Sequence, residues 1–254
     1  MPRRIRITLA YDGTHYHGWQ VQPGLPTIQG TVQQVLAGLE GTPVLIEGSG
    51  RTDAGVHALA QVAAFHLTNP IPIDNLRRAM NQLLPRDIRI VEAAEVHDTF
   101  HPRFDALAKT YEYRILRAEL CPPIERLYVH HHPYPLNEAA MHDAAARLEG
   151  EHDFTSFATA DESDTQGRSK VRTIFSSQFT REGDRLIYRV RGSGFLKHMV
   201  RNIVGVLLEV GKGNIASVDV LTPRLPGPTV PARGLFLLSV EYPPAPHETA
   251  PADR

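Results

Sequence analysis

The apolar residues of this chain change their spacing repeatedly, and no apolar run is long. Ile5, Ile7 and Leu9 alternate with Arg4, Arg6 and Thr8, the period of a half-buried strand. Ile28, Val32, Val35, Leu36 and Leu39 instead fall at steps that line one face of a helix. A chain that switches between these two periods must bury strands against helices. The fold class is therefore α+β, with helices packed on a largely antiparallel sheet. The run Ile203-Val204-Gly205-Val206-Leu207-Leu208 stops at Glu209, far short of the ~20 apolar residues a membrane span needs. No apolar signal-peptide core follows Met1. The lone Cys121 excludes an intrachain disulfide and a thiolate metal cluster, and fits a reducing cytoplasm.

Capping and turn residues divide the chain further. The turn Asp12-Gly13 ends the first strand, and Thr27 caps the first helix, with Gly38 and Gly41 near its end. Residues 44–46 read as a strand running into Gly48-Ser49-Gly50, and residues 61–67 as another. Asp74 is expected to cap a second helix with Leu76, Met80, Leu83 and Leu84 inward. Pro85 stops it, and Ile88 and Ile90 resume extended structure. The plan then repeats. Residues 104–116 are strand-like, with Tyr111, Tyr113 and Ile115 on one face, and Asn137 opens an alanine-rich helix that Gly150 closes. Residues 170–180 and 185–191 form a hairpin around Glu182-Gly183-Asp184. Residues 196–210 make an apolar helix and 235–242 a last strand. Two similar sets imply two pseudo-symmetric halves, 1–98 and 99–242, followed by a proline-rich, disordered tail over 243–254.

The formal net charge is -1, so the chain as a whole shows no basic excess. Its distribution is uneven. Between Arg168 and Arg201 nine Lys or Arg face only Glu182 and Asp184, a local balance of +7 (9 − 2). That block reads either as one basic face or as a solvated surface whose acids lie elsewhere in space.

Residues 48–58, Gly48-Ser49-Gly50-Arg51-Thr52-Asp53-Ala54-Gly55-Val56-His57-Ala58, place three glycines around a cation and a carboxylate between two strands. Such a segment bends sharply and lets a ligand approach the backbone. One reading is a turn in which Asp53 accepts from nearby N–H groups. The other is an active carboxylate, because a carboxylate beside Arg51 or another cation is held charged, as a nucleophile must be.

Arg51-Thr52-Asp53-Ala54-Gly55-Val56-His57-Ala58 resembles the signature of the tRNA pseudouridine synthase A family. The resemblance extends, in order, through Tyr11-Asp12-Gly13 with Gly18-Trp19-Gln20, Phe100-His101-Pro102-Arg103-Phe104, and Lys109-Thr110-Tyr111-Glu112-Tyr113. It continues through Asp153-Phe154-Thr155-Ser156-Phe157, residues 194–205 from Gly194 to Gly205, and Pro231-Ala232-Arg233-Gly234-Leu235. It implies the pseudouridine synthase fold, with the active cleft between the halves. The implied reaction is isomerisation of uridine to pseudouridine in the anticodon stem-loop of tRNA, at nucleotides 38, 39 and 40. No cofactor and no metal is implied, and the implied assembly is a homodimer. Asp53 becomes the catalytic aspartate and nucleophile, although attack on the sugar, addition to the ring and assistance to glycal formation all stay open. Arg51 is implied to flip the base, and Tyr111 to stack on it. Arg201 is implied to partner the carboxylate. Spacing alone does not separate Tyr111 from Tyr113, which lies two residues on, on the same strand face.

Lys197 and the hairpin residues Arg185, Arg189 and Arg191 are candidate contacts to RNA phosphates. His130-His131-His132 is declined as a metal tract, because three adjacent histidines cannot face one ion from a strand. His57 and His198 are read as structural or RNA-contacting. Residues 213–231 are shorter and richer in proline than the family pattern leads one to expect. Two rival functions remain: a noncatalytic RNA-binding protein, and a synthase acting on another RNA.

Overall fold

The computed structural model describes residues 2–159, 169–216, 218 and 227–244. Its elements are β1 Arg3–Tyr11, α1 Ile28–Glu40, β2 Glu47–Gly48, β3 His57–Leu67, α2 Ile73–Leu83, β4 Ile88–Val96 and β5 Ala108–Leu116. There follow β6 His130–His131, α3 Glu138–Ala146, β7 Gly150–Asp153, β8 Val171–Glu182, β9 Arg185–Gly192, α4 Met199–Gly211 and β10 Leu235–Glu241. One sheet of ten strands runs in the order β4-β1-β3-β10-β5-β9-β8-β7, with β2 added to β3 and β6 to β5. Its pairs are antiparallel except β10 with β3 and β5 with β6. The fold class is the α+β arrangement expected.

The alternation in β1 does what its period requires: Ile5, Ile7 and Leu9 are fully buried, in the same core as the inward residues of the helices. Helix α1 starts where the Thr27 side chain accepts from the Gly30 N–H at 3.3 Å, and ends at Gly41, whose φ of 83° only glycine adopts freely. Asn137 caps α3 in the same way, accepting from the Ala140 N–H at 3.1 Å.

Several expected boundaries move. Residues 44–46 bury Val44 and Ile46 but join no ladder; pairing begins only at Glu47 and Gly48, against Ala64 and Ala63. Asp74 lies in the first turn of α2, while Pro72 holds the cap position without a side-chain bond. Leu83 points to water, 58 % exposed, because Leu76, Met80 and Leu84 already fill the inward stripe. Phe104 is exposed and belongs to a turn in which the His101 ring accepts from the N–H groups of Arg103 and Phe104, so β5 starts at Ala108. Helix α3 gives way at Arg147, before Gly150, which with a φ of 105° opens β7. Part of the short 213–231 connection falls outside the described residues, as do Arg168 and the tail from residue 245 on.

The centre of the sheet sets up the site. Ala58 of β3 pairs with Tyr11 of β1 on one side and Leu237 of β10 on the other, and Leu237 pairs with Tyr111 of β5. Tyr11 and Tyr111 therefore share one transverse row, at the edge where the loop from β2 to β3 enters the sheet.

Candidate active site

The 49–56 loop is held from behind by the segment after β1. Gly13 and Gly18 permit this: a Cβ on Gly13 would lie 2.0 Å from the Val56 carbonyl oxygen, and one on Gly18 2.5 Å from that of Thr52. Through this close approach the Trp19 N–H donates to the Thr52 carbonyl at 3.0 Å, and the Gly55 N–H to that of Tyr16 at 3.3 Å. The Tyr11 hydroxyl bonds the Thr52 hydroxyl at 2.8 Å. His57 is spent on the same support. Its Nδ1 accepts from the Gly13 N–H at 3.2 Å, its Nε2 meets the Leu127 carbonyl at 3.1 Å, and its ring stacks on Phe236. The structural reading of His57 follows.

From this loop Asp53 turns toward α4. Its side chain is 24 % exposed, and Arg201 Nη1 donates to its Oδ2 at 3.2 Å. Arg201, 15 % exposed, is aimed by a second bond, from Nε to the Val230 carbonyl at 2.8 Å. A planar guanidinium can satisfy a carbonyl and a carboxylate together; an ammonium cannot hold that fork. The cation beside Asp53 is thus Arg201 and not Arg51, which is exposed and makes no bond to any described residue.

His198, read from the sequence as structural or RNA-contacting, lies beside Asp53. Its backbone sits at φ 60°, the left-handed region that side chains other than glycine seldom adopt. That conformation cannot continue a right-handed helix, so α4 begins at Met199 and not near residue 196. It also brings the ring into the site, with Nε2 3.5 Å from Asp53 Oδ2 and Nδ1 2.9 Å from the Thr159 hydroxyl. Burial, then the nearby Arg201 and Lys197, lower its pKa below the usual histidine value, against the pull of Asp53. No motif spacing announces this contact; it depends on a single backbone dihedral.

The two tyrosines of β5 separate clearly. Tyr113 is fully buried, and its hydroxyl donates to the Pro231 carbonyl at 2.8 Å. Tyr111, 8 % exposed, packs nearly perpendicular to the Phe195 ring, at an interplanar angle of 79° and a centroid distance of 5.0 Å. Burial first, and then the charges at Tyr11 and Asp53, raise the pKa of the Tyr111 phenol. Tyr111 therefore lies within the field of Asp53 and stays protonated at neutral pH. The site joins Asp53, Arg201, His198 and Tyr111, with Arg51 on the same loop but turned to water.

The basic block resolves differently from its sequence. Arg185 pairs with Glu125 at 2.9 Å, Arg189 with Glu112 at 2.7 Å and Arg191 with Glu241 at 2.6 Å. The acids missing from that stretch lie elsewhere in space, and these three arginines are neutralised. Lys197 is exposed, as a phosphate contact requires.

A profile of the tRNA pseudouridine synthase family matches residues 7–105 and 144–243. A tRNA pseudouridine synthase A from Solibacter usitatus is 66 % identical over 240 residues, covering 94 % of this chain and all of that protein. Enzymes of the same name from Exiguobacterium and from Geobacter sp. strain M21 are 43 % and 44 % identical, over 94 % and 95 % of this chain and 98 % and 99 % of theirs. Every block that carries the resemblance in the sequence lies within the two profile spans except residues 109–113, which fall between them, and the chain belongs to the tRNA pseudouridine synthase family of isomerases.

Proposed function

We propose that the protein isomerises uridine to pseudouridine at positions 38, 39 and 40 of the tRNA anticodon stem-loop, with Asp53 as the nucleophile. The observation that carries this reading is the partly exposed Asp53 carboxylate held against the Arg201 guanidinium, with Tyr111 in its field. Asp53 comes from residues 1–98 and its companions from residues 99–242, which supports a division into two halves with the reaction between them.

The chemistry asks little beyond these groups. A stacked uridine must first leave its neighbours, and Arg51, which has no partner to give up among the described residues, fills the space it vacates. The flat face of Tyr111 receives the uracil. An Asp53 oxygen bonds C1′ as the C1′–N1 bond breaks, and the electron pair leaves on the uracil. The uracil rotates, C5 bonds C1′, and the C1′–O pair returns to the carboxylate. The proton lost from C5 balances the one gained at N1, so the product is an isomer. Arg201 holds Asp53 aimed between the two displacements.

The same reading takes the protein as a homodimer in the cytoplasm. No helix of the described residues is long and apolar enough to cross a membrane, and a light-scattering mass of one chain would overturn the dimer.

Asp53→Asn is the direct test. Turnover is expected to fall by roughly a thousandfold or more, about 4 kcal/mol of barrier, while tRNA affinity stays within about threefold because one neutral amide replaces one carboxylate. Turnover like that of the wild type would sink the assignment. Mapping pseudouridine in the treated tRNA tests the position, and modification confined to other nucleotides would overturn it.

A further inference from the structure

We propose that Arg103, Lys109 and Arg172 form a subsite for an RNA backbone phosphate adjoining the target uridine. The inference rests on the function proposed above and adds to it where the substrate's charge is received.

Lys109 lies on β5 two residues before Tyr111, and so on the same strand face. Its Nζ donates to the Ser49 carbonyl at 2.5 Å, and a Cβ on Gly50 would come within 3.2 Å of it. The ammonium is thus pressed against the loop that carries Arg51 and Asp53. One backbone carbonyl uses one of its three donors. Burial lowers its pKa to about 8, and the charges that act on it, Arg103 and then Arg172, are both positive. Arg172 donates to the Ser169 and Val171 carbonyls at 2.8 and 2.6 Å, and burial and Arg103 lower its own pKa. Among the described residues no carboxylate pairs with any of the three.

Gathering three cations without an anion opposes folding, and a partly desolvated ammonium gains most from an anion that supplies the missing acceptors. The position favours a phosphodiester of the substrate itself. Beside Arg172 lies Gly194, where an added Cβ would rest 3.7 Å from the guanidinium stem, and the next residue, Phe195, packs its ring on Tyr111. A nucleotide whose base rests on Tyr111 carries its flanking phosphates past this rim. Gly50 and Gly194 keep the rim low on both sides.

The test is a coupling measurement on the full-length protein. Target RNAs carry one neutral methylphosphonate at each phosphate flanking the uridine in turn, and affinity is measured for the wild type, Lys109→Met and Arg172→Gln. For one of these positions the wild type is expected to lose about tenfold, the scale of a single charge-assisted bond. Lys109→Met should lose about the same on unmodified RNA and nothing further on that methylphosphonate. Equal losses in wild type and variants at every position would overturn the subsite and leave Lys109 as a clamp on the Ser49 carbonyl. If Lys109→Met does not fold, Arg172→Gln carries the same comparison. Wild-type affinity should also weaken as pH rises through about 8, as the ammonium is lost, and Lys109→Arg should remove that slope. Absence of pseudouridine from wild-type reactions would count against the proposed function, whereas the binding cycle reads the subsite alone.

Discussion

The arginines of the β8–β9 hairpin meet two fates, and Arg181 of β8 shares that of β9, pairing with Glu138 at 2.6 Å. On β9, Arg185, Arg189 and Arg191 each meet a carboxylate brought by another part of the chain: Glu125, Glu112 and Glu241. At the start of β8, Arg172 joins Arg103 and Lys109, and the charges that reach Lys109 are all positive. Along the sequence these hairpin arginines all belong to a single basic block. In space one group is internally neutral and the other is left open beside the loop that carries Asp53. Local charge counted along a chain therefore says little about where a polyanion is drawn; what decides is which cations the fold leaves without partners.

The largest effect expected from breaking a pair is in the site itself. Arg201→Met keeps an apolar stem but removes the charge and both bonds, to Asp53 and to the Val230 carbonyl. Turnover should fall about a hundredfold, some 2.7 kcal/mol of barrier, and Arg201→Lys should restore only part of it because the fork is gone. Single-turnover rates measured with a thermal melt check this. Unchanged turnover with a lowered melting point would make the ion pair a matter of stability alone.

A smaller effect is expected at Glu112, the buried carboxylate that accepts from Arg114 Nε and Arg189 Nε, each at 2.7 Å. Burial opposes its charge, but the bonds and charges of the two arginines outweigh it, so its pKa lies below the ordinary 4.5. A carboxylate with a depressed folded pKa stabilises the fold above its unfolded value. Its contribution therefore fades as pH falls below 4.5 and through the lower folded pKa. Glu112→Gln should cost about 1–2 kcal/mol at pH 7, the low end for such a network because both arginines reach water. The deficit should shrink in denaturant melts taken toward pH 3. The variant also removes one of the two carboxylates beside Arg189, leaving Glu182 at 3.5 Å, so the salt dependence of RNA binding should steepen by less than about one unit of slope. An unchanged slope would mean that the hairpin stays away from RNA even when Arg189 is only half paired.

Which of these features the sequence discloses follows from the range of the interactions. Periodicity and caps act within a few residues, so β1, the Thr27 cap and the 182–184 turn are legible directly. The Asp53 loop and Arg201 are legible because their motifs stand out, although they lie far apart in the chain. Val44 and Ile46 mislead because burial, which pattern detects, is not ladder pairing, which depends on β3. Leu83 misleads because an apolar residue at the end of a helix need not be covered. The pairing of Arg189 with Glu112, the cation cluster at Lys109 and the turn of His198 toward Asp53 all depend on how loops dock across the sheet. No local spacing encodes them.

The least sensitive position separates the two groups most sharply. Arg185 and Glu125 form a single ion pair at 2.9 Å, with the arginine side chain 45 % exposed. Water screens such a pair, and holding two long side chains in one geometry costs entropy that offsets most of the attraction. Arg185→Gln should therefore change stability by no more than about 0.5 kcal/mol and leave both turnover and RNA affinity in place. Arg172→Gln removes the same charge from the other strand of the same hairpin, yet should weaken RNA binding about tenfold. If the two variants bound RNA equally well, pairing in space would not be what distinguishes the two groups, and the electrostatic contrast between them would have no functional consequence.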